Sequence, residues 1–130
     1  MTMSLPIEYR KGSLNDLSKL KFAEGLSVSG ESVEFNIVGV GHEFWVAVQG
    51  DMIIGVIVLG RGSQNELRII YLEVAPAHKN EGVGSALLQS VIENYPEYKI
   101  YVIPFEGTED FYRHLGFLKV SRWEMRRSPI

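Results

Sequence analysis

The sequence predicts an α/β (α+β) chain in which helices flank a mixed, mostly antiparallel central sheet, and three observations predict it. The stretch Tyr71-Leu-Glu-Val-Ala-Pro-Ala-His-Lys-Asn-Glu-Gly-Val-Gly-Ser-Ala-Leu-Leu88 reads as a strand that breaks at Pro76 into a loop and then opens a helix. Beyond the loop, Val83, Leu87 and Val91 recur at helical spacing with Leu88 and Ile92 beside them, while Ser85, Gln89 and Glu93 fall on another face. That is an amphipathic helix packed on a sheet. Upstream, the runs Glu43–Gln49 and Met52–Leu59 are strand-like and meet at Gly50-Asp51, a usable hairpin turn.

In chain order, Ile7–Lys11 alternates as a first strand, and Ser13 or Asn15 can cap a helix running to about Phe22 with Leu14, Leu17 and Leu20 on one side. Glycines and serines follow from Gly25 to Ser32, then a short helix-like stretch to about Val38. After the hairpin, Glu66–Val74 is mostly apolar and therefore a central strand. Tyr98–Ile103 follows the amphipathic helix as a further strand, Glu109 onward is a short helix, and Leu118–Arg127 is the last strand. Its terminal part, Trp123–Arg127, is expected at the sheet edge, where its charges block further pairing.

With 130 residues, 45% of them hydrophobic, the chain suits a single domain over residues 1–130. A formal net charge of −3 argues against a general binder of nucleic acid or anionic membrane. No run approaches the ~18 apolar residues of a membrane span, and Met1–Pro6 lacks the basic and apolar regions of a signal peptide, so a cytoplasmic location is expected. The absence of cysteine removes disulfides and any cysteine acyl-enzyme. His42 and His78 are isolated, and no His, Asp and Glu set has metal-ligand spacing, so no metal site is expected.

The glycine loop has the chemistry of a phosphate cradle. Gly82 and Gly84 lack a Cβ, which permits a tight turn and close approach of an anion, and the first N–H groups of a helix have no partner within it. Any phosphate attraction is then local, from Lys79, His78 and the helix start. A Walker loop is excluded because Ser85-Ala86 follows the last glycine instead of Lys and Ser or Thr. A dinucleotide fingerprint is excluded because position 87 is Leu and Tyr101–Ile103 carries no acid.

About thirty residues later, Glu109-Asp-Phe-Tyr-Arg-His-Leu-Gly-Phe117 forms a second motif. Together, Lys79-Asn-Glu-Gly-Val-Gly84 and Phe111-Tyr-Arg-His-Leu-Gly-Phe117 resemble the paired motifs of the Gcn5-related N-acetyltransferase (GNAT) superfamily. The resemblance runs from about residue 43 onward. Lys79 stands where that family usually has Arg, Asn80 where glycine is common, and Phe105 where an Asn is frequent. The resemblance implies two parallel strands, Arg68–Val74 and Tyr98–Ile103, that splay apart at the cofactor. It further implies acetyl-coenzyme A (acetyl-CoA) as acyl donor, bound by the main chain of Leu72, Glu73 and Val74 and by the loop Lys79, Asn80, Glu81, Gly82, Val83, Gly84 and Ser85.

The chemistry expected from this resemblance is direct transfer to a primary amine in a ternary complex. Tyr112 is placed by the resemblance beside the thioester sulfur as general acid, and the Val74 N–H is a candidate oxyanion donor. Candidate bases are Glu66 and Glu73, expected on opposite strand faces, then Glu31, Glu34 or a water chain. The acceptor pocket is expected from the segment Leu26–Val40, the strands near Trp45 and the last strand, with Glu24, Glu31 and Glu34 hinting at a cationic small-molecule or peptide amine. Last strands of this kind also form homodimers in that family. The alternatives are a metal-dependent vicinal-oxygen-chelate enzyme, whose folds also carry Phe-Tyr…Leu-Gly-Phe segments, and a non-catalytic acetyl-CoA-binding regulator.

Overall fold

The computed structural model describes residues 5–20 and 42–129. Within them, seven strands form one sheet in the order β1-β2-β3-β4-β5-β7-β6. Strands β1 (Ile7–Lys11), β2 (Glu43–Gln49), β3 (Met52–Arg61) and β4 (Glu66–Val74) pair antiparallel in sequence order. Helix α1 (Leu14–Leu20) follows β1, α2 (Val83–Asn94) joins β4 to β5 (Lys99–Val102), and α3 (Glu109–His114) follows β5. Strands β6 (Leu118–Lys119) and β7 (Met125–Arg127) close the chain. The expected helix over 32–38, the end of the first helix at Phe22, and Glu24, Glu31 and Glu34 lie outside the described residues. No helix among the described residues is long and apolar enough to cross a membrane.

Strand β3 is central because its residues from Ile53 to Gly60 are all buried, its two faces entering different cores. Ile54, Ile57 and Leu59 meet the buried face of α2 through Val83, Leu87, Leu88, Val91 and Ile92. Ile53, Val56 and Val58 pack on the other face with Leu17 and Leu20 of α1. Leu14, expected in that apolar stripe, is exposed. Both ends of α2 are tied down. A Cβ on Gly55 would sit 3.3 Å from the Val83 side chain, a tight contact, so glycine eases the close approach of the helix start to β3. At the other end the Tyr95 hydroxyl donates to Glu43 at 2.6 Å.

The parallel pair β4 and β5 runs in register only from Glu66↔Lys99 to Ile69↔Val102. Beyond Ile69 the two strands diverge. At the same place the β3–β4 register shifts, with Val58 opposite Tyr71 and Leu59 opposite Ile69, which leaves Ile70 as an extra residue. The extra residue reverses the alternation of side chains. Leu67 and Ile69 face α2 before it, and Leu72 and Val74 face α2 after it, while Tyr71 joins the opposite core. Glu66 and Glu73, expected on opposite faces from an unbroken period of two, therefore lie on the same face.

The expected last strand over Leu118–Arg127 is instead a hairpin that turns between Lys119 and Met125. Strand β7 is internal, paired with β5 on one side and β6 on the other, so β6 forms the edge and Trp123–Arg127 is not an edge strand. The β5–β7 pairing buries Met125 beside Val102, and that burial holds the returning chain inside the sheet.

One buried charge fixes the start of the fold. Asp16, 1% exposed, accepts two bonds from the Arg10 guanidinium at 2.8 and 2.9 Å and one each from the Ser13 N–H and hydroxyl. These partners hold its carboxyl down at about 2 against the usual 3.8. A depressed carboxylate stabilises the fold above its unfolded pKa and loses that contribution as pH falls toward its folded pKa. At neutral pH the shift corresponds to roughly 2 kcal/mol. Urea unfolding of Asp16→Asn should show a deficit of about that size at pH 7, shrinking toward zero as pH drops from about 5 to about 2. A deficit independent of pH would contradict this account.

Candidate functional site

Divergence of β4 from β5 opens a groove of about 470 Å³ between the end of β4, the loop before α2, and α3. It brings together Leu72, Glu73, Val74, Lys79, Asn80, Gly82, Val83, Gly84 and Ser85 with Tyr112, along with His78. Of the loop residues expected there, Glu81 is not part of the lining; its carboxylate lies 3.0 Å from His78 Nδ1.

The floor of the groove is main chain. Ala75 N–H donates to Ile54 O at 2.8 Å, so by antiparallel alternation Glu73 bonds toward β3 and the N–H and C=O groups of Leu72 and Val74 point into the splay. There β5 has departed, and these groups have no ladder partner among the described residues. A ligand rich in amides can pair with them as an added strand would.

The groove's other end is the start of α2. The first helical bond of the segment runs from Ala86 N–H to Gly82 O, so the N–H groups of Val83, Gly84 and Ser85 are left over, and among the described residues no side chain caps them. Gly82 takes φ +80, and a Cβ there would meet nothing within 4 Å, so its glycine is required by the turn and not by crowding. Asn80 has φ 66, a left-handed conformation that asparagine accepts more readily than most residues. The loop thus keeps its shape without glycine at position 80.

Gly84 plays a different part from the one its sequence suggests. A Cβ there would lie 3.4 Å from the Val74 side chain and 3.6 Å from Phe111, pointing into the packing between α2, β4 and α3. Alanine fits that space. A larger side chain such as aspartate would push against Val74 and Phe111, so it would test packing before charge.

Tyr112 stands where the groove ends. It is 6% exposed, with its ring edge-on to Phe111 at 5.0 Å and Phe117 at 5.4 Å. Burial pushes its phenol up to about 12, so the hydroxyl keeps its proton at any physiological pH. Among the described residues nothing hydrogen-bonds that hydroxyl. The short helix carrying it ends at Gly116, φ 92, and Phe117 N–H returns to Tyr112 O at 3.1 Å, which fixes the turn of chain that carries the ring.

On the far side of Tyr112 lies a second cleft of about 230 Å³, which the sequence does not announce. Arg68, Ile69, Ile70, Tyr71, Val102 and Ile103 line it, and Leu72, Phe105 and Tyr112 belong to both spaces. Phe105, 70% exposed, stands at the junction. The two spaces therefore meet at one buried phenol, and a donor lying in the first can face an acceptor lying in the second.

A family model described as an acetyltransferase (GNAT) domain matches residues 40–119. Among solved structures, an acetyltransferase of the GNAT family from Staphylococcus aureus Mu50 aligns with a TM-score of 0.72 at 21% identity, over 94% of this chain and 98% of that one. Ard1 from Thermoplasma volcanium aligns with a TM-score of 0.76 at 19% identity, over 95% and 98% of the two chains. PaiA N-acetyltransferase from Thermoplasma acidophilum, in complex with coenzyme A, aligns with a TM-score of 0.72 at 19% identity, over 95% and 99%. At these identities the likeness is one of fold. No curated protein matches the sequence.

Proposed function

Because the chain belongs to the GNAT acetyltransferase family, whose domain model covers residues 40–119, we propose that it transfers an acetyl group from acetyl-CoA directly to a primary amine in a ternary complex, with Tyr112 as general acid. The observation that carries this reading is the meeting of two spaces at Tyr112, one of them floored by strand backbone and headed by helix N–H groups that have no partner among the described residues. The vicinal-oxygen-chelate alternative has no support once the family is known.

The residues present suit the donor. The N–H groups of Val83, Gly84 and Ser85, with Lys79 and His78 beside them, match a pyrophosphate in charge and donor number. Leu72 and Val74 offer main-chain donors and acceptors to the amides of a pantetheine arm. The Val74 N–H supplies a donor for negative charge developing on the thioester oxygen. A thioester is already activated, so the chain's main task is to hold it against the amine, relieve the amine of a proton and assist the thiolate.

Reference pKa values are ~10.4 for an alkylamine and ~8.5 for a thiol, so the amine needs a base while the sulfur gains from a donor. Tyr112, protonated throughout, is suited to the donor role. The hydroxyl would donate to the sulfur as the C–S bond breaks and negative charge develops there. Glu73, which lines the groove, stays a candidate for the base together with bound water, whereas Glu66, at the other end of β4, is among the lining residues of neither space.

The test is thiol release from acetyl-CoA by the purified protein, with and without a panel of primary amines. Release that depends on the amine and yields its acetylated product is the expected result. Tight acetyl-CoA binding with no transfer to any amine would favour the regulator reading.

A further inference from the structure

Resting on the acetyltransferase reading, we propose that the second cleft takes an amine with an apolar body and an anionic group, and that Arg68 binds that group. The walls argue the first part: Ile70, Ile103 and Phe105 are 41, 61 and 70% exposed and surround the approach to Tyr112. Among the described residues no carboxylate lines this cleft, and the one charged lining residue is Arg68. Among the described lining residues a polycationic amine has no carboxylate to pair with.

The state of Arg68 argues the second part. One Nη1 donates to Glu124 and the guanidinium lies 5.5 Å over the Tyr101 ring, while its other N–H donors have no partner among the described residues. A guanidinium has five such donors and takes a carboxylate with two of them. Arg126, opposite Tyr101 on β7, has no ion pair among the described residues, so Glu124, which pairs with Arg68, does not neutralise both arginines of this part of the sheet.

Reach fits as well. Arg68 is level with Tyr101, whereas Glu124 follows the β5–β7 register to the level of Ile103, so the guanidinium leans two residues toward the splay. That leaves about 7 Å between the anion position and the level of Leu72. An aromatic ring bearing an aminomethyl and a carboxylate group spans this gap.

The experiment measures acetyl transfer to 4-(aminomethyl)benzoate, benzylamine and spermidine by the wild-type protein, Arg68→Gln, Arg68→Lys and Ile103→Glu, with acetyl-CoA binding to each followed by calorimetry. The wild type should prefer the carboxylate-bearing amine over benzylamine by about tenfold or more in kcat/KM, and spermidine should be poorest. Arg68→Gln should raise KM for the carboxylate at least about tenfold more than for benzylamine, with Arg68→Lys recovering part of the loss. Ile103→Glu, at an exposed position, should shift preference toward spermidine. Preference for spermidine in the wild type, equal effects of Arg68→Gln on all three amines, or transfer to none of them would overturn the proposal. Failure of acetyl-CoA to bind would instead sink the acetyltransferase reading beneath it.

Discussion

Tyr112→Phe should bind acetyl-CoA as tightly as the wild type and lose roughly 10²- to 10⁴-fold in kcat, the range for a positioned proton donor. The substitution removes one oxygen and keeps the ring. That ring fills the seam between α3 and the sheet against Phe111 and Phe117, so packing is unchanged. The hydroxyl has no partner among the described residues, and its removal leaves no donor or acceptor stranded there. Thermal stability should therefore stay level or rise slightly while the rate falls, a combination that a purely structural tyrosine cannot give. A kcat within about twofold of wild type would remove Tyr112 from the chemistry. Because burial lifts the phenol to about 12, the wild-type pH profile should also show no alkaline loss from this group near its ordinary value of 10.

Ser85→Glu should weaken acetyl-CoA binding by about a hundredfold without weakening the fold. Ser85 lines the groove in the first turn of α2, which holds no acidic residue and whose three N–H groups have no partner among the described residues. A carboxylate there complements the helix dipole and stabilises an exposed helix start by about 0.3–1 kcal/mol. Against a pyrophosphate on the same donors it is repulsive. At about 6 Å and an effective dielectric constant near 20, one unit of opposing charge costs about 2.8 kcal/mol, which is about a hundredfold in affinity. Ser85→Gln, similar in size and uncharged, should lose far less. Equal losses in the two variants would point to crowding and away from an anion at this helix start.

How far the sequence carries depends on whether an element is decided locally. Strands β1, β2 and β4 and the helix after Gly82 fall where alternation, helical spacing and the Pro76 break put them, because each signal lies inside the segment it describes. Strand β3 runs on to Arg61, past the expected end at Leu59, since Gly60 and Arg61 still pair with Arg68 and Leu67. The extra residue at Ile70 is invisible in the sequence. Arg68-Ile-Ile-Tyr71 has no glycine or proline to mark a bulge, and its isoleucines suit either face of a strand. The turn between β6 and β7 is hidden for a similar reason, since Ser121-Arg-Trp123 contains a strong strand former and no turn glycine.

The site divides along the same line. The loop from Lys79 to Ser85 and the helix carrying Tyr112 are short motifs, legible because spacing alone defines them. The second cleft exists only because β4 and β5 part after Ile69 and Val102, and it gathers Arg68, Ile103 and Phe105 from separate segments. Even a motif residue can hide its task, as Gly84 does. Its small size serves Val74 and Phe111, and that contact is set by the tertiary arrangement of three elements.

The most direct test of the central claim is a calorimetric titration of acetyl-CoA into the wild-type protein and Ser85→Glu. The account predicts one-to-one binding of micromolar or tighter affinity to the wild type and about hundredfold weaker binding to the variant. Absence of binding to the wild type, or equal affinity for both proteins, would contradict a donor site headed by the start of this helix.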